Sequence, residues 1–225
     1  MSKRFLGQIY CFRHGQTGYT DVFPDLTEEG IRTIKKTTTL LPFINGGRNI
    51  TIFTSPKIRA VGSADIVVKE LGVKQGFEKM RILSAIEIKD QEKARKLFAE
   101  ASQGGAQALS IAYGTDPRFE DGVIVESRSA VKKRFFSFFS DLAKWLTANM
   151  SSPLYIIVVS HYELLYHLVE TAFNLDYRVD APLGYGEIIM INVYDCGVRN
   201  TITLEIHFRK RTAEMLFDYK KKEIV

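Results

Sequence analysis

The sequence predicts an α/β protein: one three-layer α/β/α sandwich domain over residues 1–225, with a mostly parallel central sheet. Patterns typical of strands and of helices alternate along the chain, which favours this layered architecture. The run LYIIVVS at residues 154–160 is almost uniformly apolar and β-branched, as expected of a central strand covered on both faces. A chain of 225 residues with 45% hydrophobic side chains is also long enough to bury the core of one large domain.

The first strand and the first helix each have their own signal. Residues 7–12 form an apolar run that predicts a strand. Thr27 is followed by Glu28 and Glu29, which is typical of a helix N-cap with acidic side chains beside the positive end of the helix dipole. We therefore predict a helix from Thr27 to about Leu41.

A second strand and helix follow in the same order. Residues 50–54, ITIFT, predict a short strand after a turn at residues 45–49. Ser55 and Pro56 are typical of an N-cap and of the first helical position. We expect the helix that begins there to end near Gly72.

The middle of the chain predicts mainly helices. Residues 90–103 predict a polar helix, and residues 104–122 a Gly-rich, irregular connection. An apolar stripe at helical spacing predicts a long helix over residues 127–150, whose aromatic side chains we assign to the core. The strand at 154–160 then leads into a helix over residues 163–173.

The last part of the chain predicts a β-hairpin. Its two strands are residues 186–195, GEIIMINVYD, and residues 201–210, TITLEIHFRK. The basic tail at residues 219–225, YKKKEIV, is interpreted as a solvated end.

Composition excludes several classes of protein. The 31 basic and 26 acidic residues give a net charge of +5, spread along the chain, which is weak evidence for nucleic-acid binding. Cys11 and Cys196, the two cysteines, lie far apart in strand-like runs, which argues against a disulfide framework. We expect no signal peptide, no membrane-spanning segment and a cytoplasmic location. The oligomeric state, monomer or homodimer, is left open.

Unusual polar residues follow three predicted strands. Arg13 and His14 come directly after the first strand, residues 55–59 after the second, and His161 after the strand at 154–160. In an open α/β sheet, ligands bind outside the carboxyl ends of the strands, so we expect these groups to converge on one crevice. Helix N-termini there would add backbone N–H donors. Two arginines and two histidines around such a crevice would suit a phosphoryl group.

Five short motifs stand out along the chain: FRHGQT at residues 12–17, LTEEG at 26–30, SPKIRAVGSA at 55–64, VESRS at 125–129 and VVSH at 158–161. In this order and at this spacing, they resemble those of the histidine phosphatase superfamily, in its phosphoglycerate mutase-like branch (branch 1). They cover most of the chain, and the ordered set is far more specific than an isolated Arg-His-Gly.

The resemblance implies a phosphohistidine mechanism without metal or cofactor. His14 would be the nucleophile, while Arg13 and Arg59 would clamp the phosphate oxygens. His161, if protonated beside the phosphate, would supply a further cation. Glu87 stands at the place of the family's general acid.

The assignment of the acid leaves an alternative open. Burial of Glu87 beside its apolar neighbours Leu83, Ala85 and Ile86 would hold the carboxyl protonated. The alternative is that Glu87 is a surface residue, in which case Asp90 and Glu92 are the reserves.

Three further residues are assigned to phosphate binding. They are Gln16, Thr20, which replaces the family's usual asparagine, and Tyr162, which replaces its usual glycine.

The short loop after Tyr19, and the run IKDQEKARK after Glu87 in place of a mutase-like one, favour hydrolysis of a small phosphorylated substrate over phosphoryl return. A phosphoglycerate mutase and a catalytically silent module that binds a phosphorylated ligand or phosphoprotein stay open as alternatives. Specificity is expected in residues 104–126 and in the loop after Tyr19. Arg118 and Lys89 could reach a second anionic group, but a solvated surface position is the favoured interpretation of each.

Overall fold

An eight-stranded sheet lies at the centre of the computed structural model, which describes residues 3–19, 24–42, 50–149, 153–176 and 178–225. The helices of the described residues are α1 (Glu28–Thr39), α2 (Ile58–Leu71), α3 (Gln91–Ala101), α4 (Ala106–Thr115), α5 (Arg128–Ala148) and α6 (Tyr162–Phe173). The strands of the same ranges are β1 (Arg4–Arg13), β2 (Thr17–Tyr19), β3 (Pro24–Leu26), β4 (Ile50–Thr54), β5 (Glu78–Lys79), β6 (Leu154–Ser160), β7 (Ile188–Asp195), β8 (Thr201–Phe208), β9 (Arg211–Asp218) and β10 (Glu223–Ile224).

The strand order in the sheet is β10-β9-β8-β7-β1-β6-β4-β5. Strands β1, β6, β4 and β5 run parallel, whereas β7 to β10 continue the sheet beyond β1 in antiparallel pairs. The predicted α/β fold is therefore confirmed, and its parallel strands are those that precede the predicted site residues. The predicted hairpin is β7 and β8, and β9 extends it by a strand that the sequence analysis did not identify.

Both faces of the central strands are buried. Along β1, Tyr10 and Phe12 pack in one apolar cluster with α1 and α2, while Ile9 and Cys11 pack in a second cluster with α5 and α6. This alternation follows from the two-residue period of a strand. It places helices on both sides of the sheet, and Cys11 is fully buried between them.

The predicted N-cap at Thr27 is confirmed, and the helices predicted to start at Asp90 and Ser127 are each capped by that residue. Thr27 accepts a hydrogen bond from the Gly30 N–H (3.0 Å), and Asp90 accepts one from Lys93 (3.0 Å). Ser127 caps α5 in the same way. The predicted N-cap at Ser55 is wrong, because α2 begins two residues later, with Lys57 as its N-cap.

The segment predicted to be irregular contains helix α4. Its residues 106–113, AQALSIAY, carry no charge, and Tyr113 is buried against the rest of the core. The two glycines that precede the helix, and the polar turn that follows it, conceal this short apolar pattern. In the tail, residues 220–222 are exposed as predicted, but Glu223–Ile224 pair with β9.

Some features concern only part of the chain. In the part of the chain that the structure describes, no helix has the length and apolar character that crossing a membrane requires. Cys11 and Cys196 are free thiols. The predicted turn at residues 45–49 and the predicted phosphate ligand Thr20 lie outside the described residues.

Candidate active site

The register of the parallel strands brings the predicted site residues to one edge. Arg13 of β1 pairs with Ser160 of β6, so His14 and His161 both stand one residue beyond the sheet at the same level. The His14 N–H donates to the Ser160 carbonyl (3.0 Å), and the Ser55 N–H, beyond β4, donates to the Val159 carbonyl (3.0 Å). Three distant stretches of the sequence therefore meet at the carboxyl ends of three adjacent strands.

His14 is buried, and both of its ring nitrogens are engaged. Its Nδ1 lies 2.7 Å from the Gly15 carbonyl oxygen, which can only accept, so Nδ1 carries the proton. Its Nε2 lies 3.0 Å from Nε of Arg59, which can only donate. These partners select one tautomer, in which Nε2 is unprotonated and its electron pair accepts the Arg59 N–H.

The electrostatic surroundings keep His14 neutral. Burial, followed by the positive charges of Arg59 and Arg13, lowers the pKa of His14 to about 3, against the opposing effect of the hydrogen bond to Gly15. At neutral pH the imidazole is therefore unprotonated at Nε2. This is the state that a nucleophile requires.

The loop after His14 is held tightly against α1. A Cβ atom on Gly15 would lie 2.7 Å from the Gly30 carbonyl oxygen, so only glycine allows this approach. The Gly15 N–H donates to Ser63 of α2 (3.0 Å), and the Ser63 hydroxyl donates to the Arg59 carbonyl (2.8 Å). The backbone that carries His14 is thereby joined to the helix that carries Arg59.

His161 lies next to His14. The two ring centroids are 5.0 Å apart at an interplanar angle of 62°. Nε2 of His161 is hydrogen-bonded to the hydroxyl of Ser55 (2.7 Å), which also accepts the Lys57 N–H (3.2 Å). Burial, and then repulsion between the protonated forms of His161 and His14 together with the positive charges of Arg59 and Arg13, lowers the pKa of His161 well below its usual value, so the ring is neutral in this state.

Arg13 is held by aromatic and backbone groups. Its Nη1 donates to the Leu183 carbonyl (3.1 Å), and its guanidinium carbon lies 3.9 Å from the ring centroid of Tyr185 and 5.7 Å from that of Tyr162. Such stacking stabilises a cation in a fixed plane.

Two buried donor atoms beside His14 lack a partner. Among the described residues, Nε of Arg13 and Nδ1 of His161 have no hydrogen-bond partner. Buried polar atoms in proteins are nearly always paired, so these two atoms are available to a ligand that accepts hydrogen bonds. An oxyanion is one such ligand.

Tyr162, a predicted phosphate ligand, has its hydroxyl engaged elsewhere. The side chain is buried, and its hydroxyl is hydrogen-bonded to Ser110 of α4. Burial raises the pKa of Tyr162, so the hydroxyl is neutral. The contact joins α4, in the predicted specificity segment, to the site.

Gln16, a predicted phosphate ligand, makes its hydrogen bond through its backbone to the residue that caps α1. The Thr27 N–H donates to the Gln16 carbonyl (3.0 Å), while the Gln16 side chain is exposed.

Glu87, the predicted proton donor, is exposed, so the predicted desolvation of its carboxyl is absent. Its chain segment is nevertheless anchored beside the site, because the Ser160 hydroxyl donates to the Leu83 carbonyl (2.8 Å). Arg134 of α5 donates to the carbonyls of Ile82 (2.7 Å) and Ser84 (2.8 Å) and forms a bidentate pair with Glu126. The Glu126 N–H in turn donates to the Glu87 carbonyl (2.7 Å).

The reserve acids are engaged in α3. Hydrogen bonds from the Lys93 backbone and side chain lower the pKa of Asp90, and Glu92 pairs with Lys96 (3.2 Å). Arg118 pairs with two carboxylates, those of Glu100 and Asp116, each at 2.7 Å.

The exposed Lys89 donates to the Gly122 carbonyl. Within the described ranges, no three His, Cys, Asp or Glu side chains are grouped so that they could hold a metal ion.

Several residues of the site were not predicted from the sequence. Ser55 was assigned to a helix cap, and the structure instead places its hydroxyl on His161. Leu183 and Tyr185, which hold Arg13, come just before a predicted strand, where no local pattern indicates a role. Because β7 neighbours β1, only knowledge of the strand order would have indicated them.

Comparison with known proteins agrees with this geometry. The family model described as "Histidine phosphatase superfamily (branch 1)" matches residues 9–200. No curated protein matches the sequence.

Solved structures show the same fold at low sequence identity. One, "Mycobacterial hydrolase 1", has a TM-score of 0.63 at 16% identity and covers 92% of this chain and 100% of its own. A phosphoglycerate mutase from Bacillus anthracis str. Sterne has a TM-score of 0.60 at 14% identity, covering 84% of this chain and 90% of its own. A mycobacterial glucosyl-3-phosphoglycerate phosphatase has a TM-score of 0.58 at 17% identity, covering 93% and 96%.

Proposed function

The chain belongs to branch 1 of the histidine phosphatase superfamily, and from this premise we propose that it is a phosphatase that hydrolyses a phosphomonoester through a phosphohistidine on His14. One observation carries the proposal. The unprotonated Nε2 of His14 is held at 3.0 Å from Arg59, beside two buried donor atoms, on Arg13 and His161, that lack partners among the described residues. This set of groups fits a tetrahedral anion and a nucleophile directed at its phosphorus.

The first step transfers the phosphoryl group to His14. When a phosphate monoester binds, the Nε–H of Arg59 keeps its proton but donates its hydrogen bond to a phosphate oxygen instead of to His14, which frees the electron pair of Nε2. This pair attacks phosphorus, an Nε2–P bond forms, and the ester P–O bond breaks. The ring becomes positively charged, and its Nδ1–H bond to the Gly15 carbonyl stabilises that charge.

The leaving oxygen takes a proton as the ester bond breaks. Glu87 is the proposed donor, because its segment is anchored to Ser160 and Arg134 beside the site. Its carboxyl is exposed in the free protein, so the desolvation that favours the protonated form would have to come from the bound ester that covers it.

The second step returns His14 to its starting state. A water molecule gives up a proton to the carboxylate left by the first step and attacks phosphorus, and the P–Nε2 bond breaks. Inorganic phosphate leaves, and the electron pair returns to Nε2. Arg13, Arg59 and His161 bind the non-bridging oxygens in both steps, so the same groups stabilise both transition states.

The test is to trap the intermediate. The enzyme is mixed with a ³²P-labelled aryl phosphate and denatured rapidly at alkaline pH, which preserves the acid-labile P–N bond. We expect the label on His14, and we expect His14→Gln to lose both label and turnover. The matched control is His207→Gln. His207 pairs with Glu205 and is distant in sequence from the site residues, so this variant should keep both the label on His14 and the turnover.

Other outcomes contradict the proposal. Undiminished turnover by His14→Gln, or label on another residue only, would exclude phospho-His14. Interconversion of phosphoglycerates stimulated by a bisphosphate would instead identify a mutase. Phosphate binding without turnover of any ester would identify a silent binding module.

A further inference from the structure

Residues 181–187, here called the strap, form the wall of the site on the β7 side. We propose that Arg209, which lies outside the site, is a positioning residue: it holds the strap so that the strap sets the Arg13 guanidinium for phosphate. This inference rests on the proposed function of Arg13 as a phosphate ligand.

The strap contacts Arg13 in three ways. The Gly186 N–H donates to the Arg13 carbonyl (2.9 Å), and Nη1 of Arg13 donates to the Leu183 carbonyl (3.1 Å). The Tyr185 ring lies 3.9 Å from the guanidinium carbon. The strap thus fixes the backbone, one terminal nitrogen and one face of Arg13, while Nε is left without a partner among the described residues.

Arg209 binds both ends of the strap at once. Its Nη1 donates to the Ala181 carbonyl (2.8 Å) and its Nη2 to the Pro182 carbonyl (2.8 Å). Its Nε (2.5 Å) and Nη2 (2.8 Å) also pair with the Glu187 carboxylate, which accepts the Gly184 N–H (2.8 Å). A single surface ion pair would contribute little, but this fork closes the strap into a loop through several charge-assisted bonds.

Helix α1 holds the strap from the opposite side. The Thr37 hydroxyl donates to the Gly186 carbonyl (2.7 Å). Gly186 has a φ of 67°, and a Cβ atom there would clash with Thr37. The strap therefore has little freedom at Gly186, and its remaining freedom lies in residues 181–185, the part that Arg209 fixes.

Loss of the Arg209 bonds should act on phosphate affinity. A freed strap lets the Leu183 carbonyl and the Tyr185 ring move, so Arg13 must be ordered when the anion binds. Preorganised donors bind an anion more tightly because this ordering has already occurred. A purely structural role would instead lower thermal stability and leave phosphate affinity unchanged well below the melting temperature.

The test compares two substitutions in one turn. Arg209→Gln removes the fork, while Lys210→Gln removes the same charge from the next residue, which is also exposed and also has a positive φ. Calorimetric titration with inorganic phosphate should give about tenfold weaker binding for Arg209→Gln, the size of one charge-assisted hydrogen bond. Lys210→Gln should stay within about twofold of wild type. Glu187→Gln should reproduce the defect, and the double variant should be no worse than either single one.

A second readout needs no ligand. The ¹⁵N–¹H signal of Arg13 Nε, assigned with Arg13→Lys, should broaden or shift in Arg209→Gln and not in Lys210→Gln. If the signal and the phosphate affinity of Arg209→Gln both equal those of wild type, the inference is wrong while the proposed function stands. If wild type binds no phosphate, the proposed function fails, and the inference fails with it.

Discussion

Ser55 shows how one hydroxyl can orient a predicted catalytic side chain. It is completely buried and joins the N-terminal turn before α2 to Nε2 of His161. Since the serine hydroxyl can donate to Nε2, it favours the tautomer in which Nδ1, the atom without a partner among the described residues, carries the proton.

Replacement of Ser55 by alanine tests this role. Ser55→Ala should lower kcat/KM by about 10- to 100-fold, because the His161 ring is no longer held in one orientation. It should also destabilise the fold by about 1–3 kcal/mol, the usual effect of a buried group left unpaired. Ser102→Ala, in an exposed position, is the matched control. Unchanged steady-state kinetics for Ser55→Ala would exclude the orienting role.

The lowered pKa of His14 predicts loss of stability in acid. The folded pKa is about 3, while an unfolded histidine titrates near 6.5. Between these pH values, His14 binds a proton in the unfolded chain but not in the folded chain. The free energy of unfolding therefore has its full value above about pH 6.5 and decreases as the pH falls towards 3. At pH 5, His14 alone should account for about 2 kcal/mol. Urea unfolding at pH 7 and 5 measures the change, and His14→Gln should show a smaller one.

The same pKa predicts the pH dependence of catalysis. The acid limb of kcat/KM reports the free enzyme. Because His14 is neutral down to about pH 3, this limb should not fall near the ordinary histidine value. A pH–rate profile that loses activity with an apparent pKa near 6.5 through His14 would contradict the assignment.

At the scale of single residues, sequence alone identified side chains that the fold brings together. Arg13, His14, Arg59 and His161 each follow a strand or open a helix, and this position is visible in the local pattern. The residues that support them come from elsewhere in the chain and have no local pattern of their own. Their roles depend on strand order, which a local pattern does not contain.

Among the secondary-structure elements, α5 links the core to the segment that carries Glu87. The guanidinium of Arg134 donates to two carbonyls of that segment and also pairs with the Glu126 carboxylate. The Arg134 side chain is 20% exposed. The position of Glu87 therefore depends on a contact made from a different layer of the fold.

Arg134→Gln should release this segment. We expect a loss of about 2–4 kcal/mol in stability, since Glu126 and two carbonyls lose their partner. If Glu87 is the proton donor, kcat/KM should fall more for an alkyl phosphate, whose leaving oxygen needs a proton, than for p-nitrophenyl phosphate. Lys133→Gln, at the exposed neighbouring position, is the control. Equal losses for both substrates would show that Arg134 does not act through the proton donor.

Prediction of elements succeeded where capping and periodicity agreed. Helix α1 begins at its predicted cap, α3 and α5 begin within one residue of their predicted starts, and β6 has the predicted bounds. Ser55 was misassigned because Ser-Pro is a general helix-start signal, whereas this serine bonds to a residue more than a hundred positions away. Helix α4 was missed because tertiary contacts, such as that of Ser110 with Tyr162, stabilise a short helix that its sequence alone does not indicate.

For the molecule as a whole, the sheet joins two halves of different topology. β1 lies between the parallel strands and the antiparallel strands. Phe217 of β9 is fully buried against Phe136 of α5, with the ring centroids 5.9 Å apart, so the antiparallel half shares a core with the helices that cover the parallel half.

This shared core predicts one cooperative unfolding transition. Phe217→Ala should destabilise the protein by about 3–5 kcal/mol. Trp145, the single tryptophan, lies beside Phe53 of β4 and reports unfolding by its fluorescence. The substitution should shift the unfolding midpoint measured by this fluorescence by the same amount as the midpoint measured by far-ultraviolet circular dichroism. Leu216→Ala, at an exposed position of the same strand, should have little effect. Separate midpoints for the two signals would contradict the prediction of one domain.

The buried thiol of Cys11 can serve as a chemical probe for the opening of strand β1. The thiol lies two positions before Arg13, is shielded on both faces of the sheet, and has its pKa raised by burial, so it cannot react with an alkylating reagent in the closed state. In a Cys196→Ser background, the rate at which iodoacetamide alkylates Cys11 would measure how often β1, the strand that precedes the predicted nucleophile, separates from its neighbouring strands.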